Sequence, residues 1–108
     1  MDLDRIRRAA EMLEQAVRAA QEQGYENADC VFTSEVLALL PKAKAGEIAA
    51  PVKLKFTAGP RWNFTETRLG DCGDLEEAWC EFRMAVEDRD SDPAFRAYMA
   101  RLNGERPT

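Results

Sequence analysis

Val52-Lys53-Leu54-Lys55-Phe56-Thr57, Ala58-Gly59-Pro60 and Arg61-Trp62-Asn63-Phe64-Thr65-Glu66-Thr67 form the stretch whose reading decides the fold. In an extended backbone, successive side chains point to opposite faces. Val52, Leu54 and Phe56 then share one face, with Lys53, Lys55 and Thr57 on the other. Beyond the Ala58-Gly59-Pro60 turn, Trp62 and Phe64 alternate with Arg61, Asn63 and Thr65. The pattern predicts an antiparallel β-hairpin over 52–67 with a buried apolar face and a wet cationic, hydroxyl-bearing face.

On either side of this stretch the periodicity is helical. Leu3, Ile6, Ala10, Leu13, Val17 and Ala20 recur every three or four residues, widened by Ala9 and Ala16, and predict a helix over 2–23 that packs into a core. Asp4–Arg8 and Glu14–Arg18 are acid-before-base pairs four apart on its wet side. Gly24 is placed to end it in a left-handed conformation. Residues 25–50 are less legible. Cys30-Val31-Phe32-Thr33 reads as a short buried strand, or else Thr33 or Ser34 caps a helix through Leu40 that Pro41 stops or kinks. Lys42–Ala50 reads as a loop or a short helix. As the second half of a helix-turn-helix, Ala43–Ala50 is too short and Ala-rich to read bases.

After Gly70-Asp71-Cys72-Gly73, Asp74 and Glu77 have the spacing of a capping box. Leu75, Trp79, Phe82 and Val86 predict a helix over 75–88. Asp92-Pro93 opens a further helix with Phe95, Tyr98, Met99 and Leu102 on its apolar side, ended by Asn103-Gly104. The expected fold class is α+β: an N-terminal helix, a short irregular or strand segment, an antiparallel β-hairpin, and two C-terminal helices packed on one face of the small sheet. Residues 1–104 form a single α+β domain in this reading, and 105–108 a frayed C-terminal tail.

The 108 residues carry a net charge of −5, unevenly spread. Residues 1–40 hold eight acids and four bases, residues 41–68 six bases and two acids, and residues 69–108 ten acids and five bases. All four lysines fall in the middle block. Such asymmetry speaks to partners rather than to fold. No apolar run reaches the ~20 residues that span a bilayer. The acidic N-terminus does not read as a signal peptide, so the expected location is cytoplasmic with no membrane partner. Three cysteines, Cys30, Cys72 and Cys80, are an odd number without framework spacing and read as reduced thiols. Asn63-Phe64-Thr65 matches a glycosylation acceptor, which carries no weight without a secretory signal.

The chain has no histidine, which removes the usual general base and the commonest metal ligand. No phosphate-cradling glycine motif is present. Cys72 lies near a helix N-terminus, which favours a thiolate, but Asp71 and Asp74 flank it and oppose one. The cysteine spacing suits no zinc site, and Cys80, beside Trp79, reads as a small core residue. No catalytic residue, metal or cofactor is assigned.

Two surfaces remain. Asp71, Asp74, Glu76, Glu77, Glu81, Glu87 and Asp88 form a candidate acidic protein-binding surface. Lys42, Lys44, Lys53, Lys55 and Arg61 form a candidate nucleic-acid-binding surface, although lysines on a strand edge also serve to prevent aggregation. The leading expectation is a non-enzymatic, acidic protein–protein interaction module. It would be a regulator or inhibitor docking on a larger protein or complex, with one that itself binds nucleic acid among the candidates. Small accessory proteins of mobile elements have this general character, and no motif assigns a family. The alternatives are a nucleic-acid-binding module using the hairpin's Lys/Arg face and a small carboxylate- or Cys-dependent enzyme. The Ala-lined stripe of the first helix also suits a second copy, leaving monomer and homodimer open.

Overall fold

The computed structural model describes residues 2–88, and every regular element among them is helical. In chain order they are α1 (Leu3–Glu22), a 3-10 turn (Glu26–Val31), α2 (Ser34–Ala45), α3 (Ala58–Glu66), a second 3-10 turn (Arg68–Asp71) and α4 (Gly73–Glu87). The helix expected from Asp92 and the tail 105–108 lie outside the described residues.

The α1 helix follows its stripe. Asp2 caps it by accepting a hydrogen bond from the Arg5 amide at 3.0 Å. Ile6, Ala9, Ala10, Leu13, Val17 and Ala20 are buried, whereas Leu3 at the end of the stripe is exposed. Asp4 pairs with Arg7 at 3.0 Å, and Arg8 donates instead to the Asp4 carbonyl. Glu14 reaches Lys44 of α2, at 3.2 Å. Helices α1 and α2 end in the same way. Gly24 and Gly46 take φ of +97° and +70°, where a side chain is strained, and the next amides, Tyr25 and Glu47, bond back to the Ala20 and Lys42 carbonyls.

Helix α4 packs against α1 in the opposite direction: Arg5 and Arg8 near the start of α1 lie with Glu81 and Met84, whereas Ala16 and Ala19 lie with Asp74 and Glu77. The small Ala9, Ala10 and Ala20 of α1 share one core with Leu75, Trp79, Phe82 and Val86 of α4. Val31, Val36, Leu40, Ile48, Leu54 and Leu69 complete that core from the shorter elements. Full burial of a side chain such as Phe82 or Leu75 stabilises by about 1.5–3 kcal/mol.

The α+β expectation is overturned, because no strand forms among the described residues and 52–67 is not a hairpin. The first half, 51–57, is irregular, and the amides of Val52, Leu54, Lys55 and Phe56 find acceptors without a partner strand. Val52 donates to the Val86 carbonyl at 2.8 Å, supplying one of the donors that the end of α4 lacks. Leu54 donates to Glu87 Oε2 at 3.1 Å, and Lys55 and Phe56 both donate to Glu35 Oε1, at 2.7 and 2.6 Å. Alternation survives locally: Leu54 is buried and Val52 half-buried, while Lys53 and Lys55 are exposed. The pattern breaks at Phe56, which stands 60% exposed.

The second half is α3. Gly59-Pro60, read as a turn, lies in its first turn, where the missing proline N–H costs nothing, and Pro60 is buried. Asn63 and Thr65 bond the carbonyls four residues back, Gly59 and Arg61, at 2.8 Å each. The alternating polar residues thus serve a helix.

Three further expectations change. Cys30–Thr33 is no strand; Val31 closes a 3-10 turn and Thr33 caps α2, its Oγ1 accepting from Val36 at 3.3 Å. Pro41 does not stop α2, which runs on to Ala45 with Leu40 and Ala43 buried on either side of it. Asp74 is not a cap: α4 begins at Gly73, and no side chain caps it at Cys72.

Candidate binding surfaces

The seven acids read as one surface divide into two groups. Asp71 ends the second 3-10 turn and Asp74, Glu76 and Glu77 occupy the first turns of α4; all four are exposed. No ion pair among the described residues holds any of the four. Asp74 and Glu76 also stabilise the α4 N-terminus, where the helix dipole favours negative charge. Glu81, Glu87 and Asp88 are half-buried and belong to the fold. Glu81 accepts two hydrogen bonds from the Arg5 guanidinium, at 2.7 and 3.3 Å. Glu87 holds the Leu54 amide, and Asp88 is the left-handed residue that closes α4, at φ 50°.

The five cations are likewise not one face of a sheet. Lys42 and Lys44 lie in the last turn of α2, where positive charge complements the helix dipole, and Lys44 is paired with Glu14. Lys53 and Lys55 are exposed on the irregular segment, and Arg61 is exposed on α3.

Trp62, placed by the alternation in the core, is 60% exposed, as is Phe56; Leu37 on α2 is 54% exposed. Phe64 does pack inward, against Trp79, with ring centroids 5.7 Å apart. The same α3 is fixed from below by Asn63, whose Oδ1 accepts from Asn27 at 2.8 Å. The outward face of α3 therefore carries Ala58, Arg61, Trp62 and Thr65, which with Thr57 and Glu66 line an open groove of about 360 Å³. A helical reading of 58–66 would have found this stripe, because its members are spaced by three, one and three residues.

A longer groove, about 690 Å³, runs between α1 and α4 along Arg5, Arg8, Met12, Glu77, Cys80 and Met84. Cys80 faces this exposed side and not the core, against expectation. Cys30 and Cys72 are half-buried against the core, and no disulfide forms among the described residues. Burial, helped by the negative charge of Asp29, pushes the Cys30 thiol up to about 11, so it stays protonated near neutrality. No group of cysteines and carboxylates that could hold a metal occurs among the described residues. No helix there is long and apolar enough to cross a membrane. Comparison with protein-family models, with curated proteins and with solved structures finds no match to this chain.

Proposed function

We propose that this chain is a non-enzymatic protein-interaction module, a small acidic regulator or inhibitor that docks on a larger protein complex in the cytoplasm. One observation carries the reading: Asp71, Asp74, Glu76 and Glu77 are all exposed around the N-terminal end of α4, a helix packed along α1. Carboxylates clustered at one end of a packed helix attract a basic surface at long range and can compete with phosphates for it. That is a physical route to inhibiting a nucleic-acid-binding partner. Glu81, Glu87 and Asp88 drop out of the docking set, because their side chains or backbone serve the fold.

The test is affinity capture from the native host with the full chain and a D71K/D74K/E76K/E77K variant. A captured protein with a basic surface is expected to be released by the reversal and by raised salt. A complex that survives both would end the acidic-docking reading. Thermal melts of the variant report separately on the dipole contribution of these acids, about 0.3–1 kcal/mol each.

A further inference from the structure

The fold buries Trp79 to 5% exposure yet leaves Trp62 at 60%. Trp62 does not hang from a loose loop, since α3 is anchored by buried Pro60, by Phe64 against Trp79 and by Asn63 to Asn27. Its outward stripe is therefore a preorganised surface, and preorganisation lowers the cost of binding. Tryptophan and arginine are the residues that most often dominate binding energy at protein interfaces, and here they are neighbours in one groove. The local charge is also distinctive. Residues 51–66 hold Lys53, Lys55 and Arg61 against a single acid, Glu66, in a chain whose net charge is −5. All three cations are exposed, and no ion pair among the described residues occupies them.

We propose that the α3 groove is a second docking surface, which takes an acidic segment of a partner protein bearing a large apolar side chain. Trp62 and Ala58 cover the apolar side chain, Arg61 forks onto a carboxylate, and Lys53 and Lys55 steer the segment in. Charge complementarity selects an acidic segment, and the small groove fits a peptide better than a nucleic-acid strand. A strand requires a cationic track along several phosphates. Here the groove holds a single arginine and no lysine, so no such track runs through it. The inference stands apart from the carboxylate end of α4, because it uses different residues on a different helix.

The experiment selects random dodecapeptides displayed on phage against the full chain, then measures the winners by fluorescence anisotropy. The expected peptides combine aspartate or glutamate with a large apolar residue. Their binding should weaken about tenfold or more in Trp62→Ala and in Arg61→Glu, less in a K53E/K55E variant, and not at all in E76K/E77K. Because Trp62 and Arg61 are exposed, both variants should melt like the parent; Trp62→Phe, which keeps a ring, should restore part of the affinity if Trp62→Ala does not fold. Failure to select any peptide, or winners without acids, would overturn the proposal. So would binding indifferent to Trp62 and Arg61. Tight, salt-sensitive binding of a labelled dT20 or rU20 oligonucleotide that is lost in Trp62→Ala would assign the groove to nucleic acid instead.

Discussion

Glu35 and Glu87 hold the segment 51–57 by its backbone, and neither role is visible from residue type alone. One oxygen of Glu35 accepts the adjacent amides of Lys55 and Phe56, and one oxygen of Glu87 accepts the amide of Leu54. Hydrogen bonds to a carboxylate are stronger than neutral ones, so Glu35→Ala should cost about 1–2 kcal/mol even at this partly wet site. Amide hydrogen exchange should quicken at Lys55 and Phe56 while the core of α1 keeps its protection; unchanged exchange at those two amides would contradict the clamp. Cys30 gives a pH-dependent signature. Its thiol titrates near 11 in the fold, raised from the ordinary 9.0 first by burial and then by Asp29. The folded state thus holds a proton that the unfolded state has lost between those values. The contribution is whole below pH 9 and disappears as pH climbs toward about 11. Melting temperature should therefore fall less steeply over that interval in Cys30→Ala than in the parent, as scanning calorimetry can measure.

At the scale of elements, the same alternating letters serve two structures. In 51–57 alternation holds for four residues, from Val52 to Lys55, and gives way at Phe56, where Glu35 holds the adjacent amides of Lys55 and Phe56. In 58–66 it is coincidental, since Gly59 and Pro60 begin a helix as readily as they make a turn. By NMR, Cα chemical shifts should be helical over 58–66, with no cross-strand amide contacts between 52–57 and 61–66. Proline tells a similar story in α2. The ring at Pro41 removes a hydrogen bond to the Leu37 carbonyl, yet the helix continues because Leu40 and Ala43 are buried and the Gly46 end is well closed. Pro41→Ala should accordingly stabilise the protein by about 1–3 kcal/mol in urea denaturation, because the helix then regains the bond and loses the clash. A destabilised Pro41→Ala would show that the proline conformation is required.

For the molecule as a whole, the antiparallel pair α1–α4 is the frame on which everything else is placed. Phe82 is fully buried in that frame, and Phe82→Ala should cost about 3–5 kcal/mol, enough to unfold much of a domain this small at 37 °C. Near-native calorimetric stability would place the core elsewhere. The apolar stripes of α1 and α4, the left-handed end at Gly24 and the exposed Asp71, Asp74, Glu76 and Glu77 were all legible in the chain, because helical periodicity and end signals are local. Local information also fixed the cationic character of the middle block and the lack of histidine chemistry. What only tertiary structure decided was the fate of 52–67, and with it the exposure of Trp62 and the internal use of Glu81 and Glu87. The physical reason is that an extended segment must have its amides satisfied, and nothing in its own letters says by whom. Carboxylates from α2 and α4, together with the open end of α4, reached those amides in place of a second strand, which left 58–66 to coil and turn its tryptophan outward.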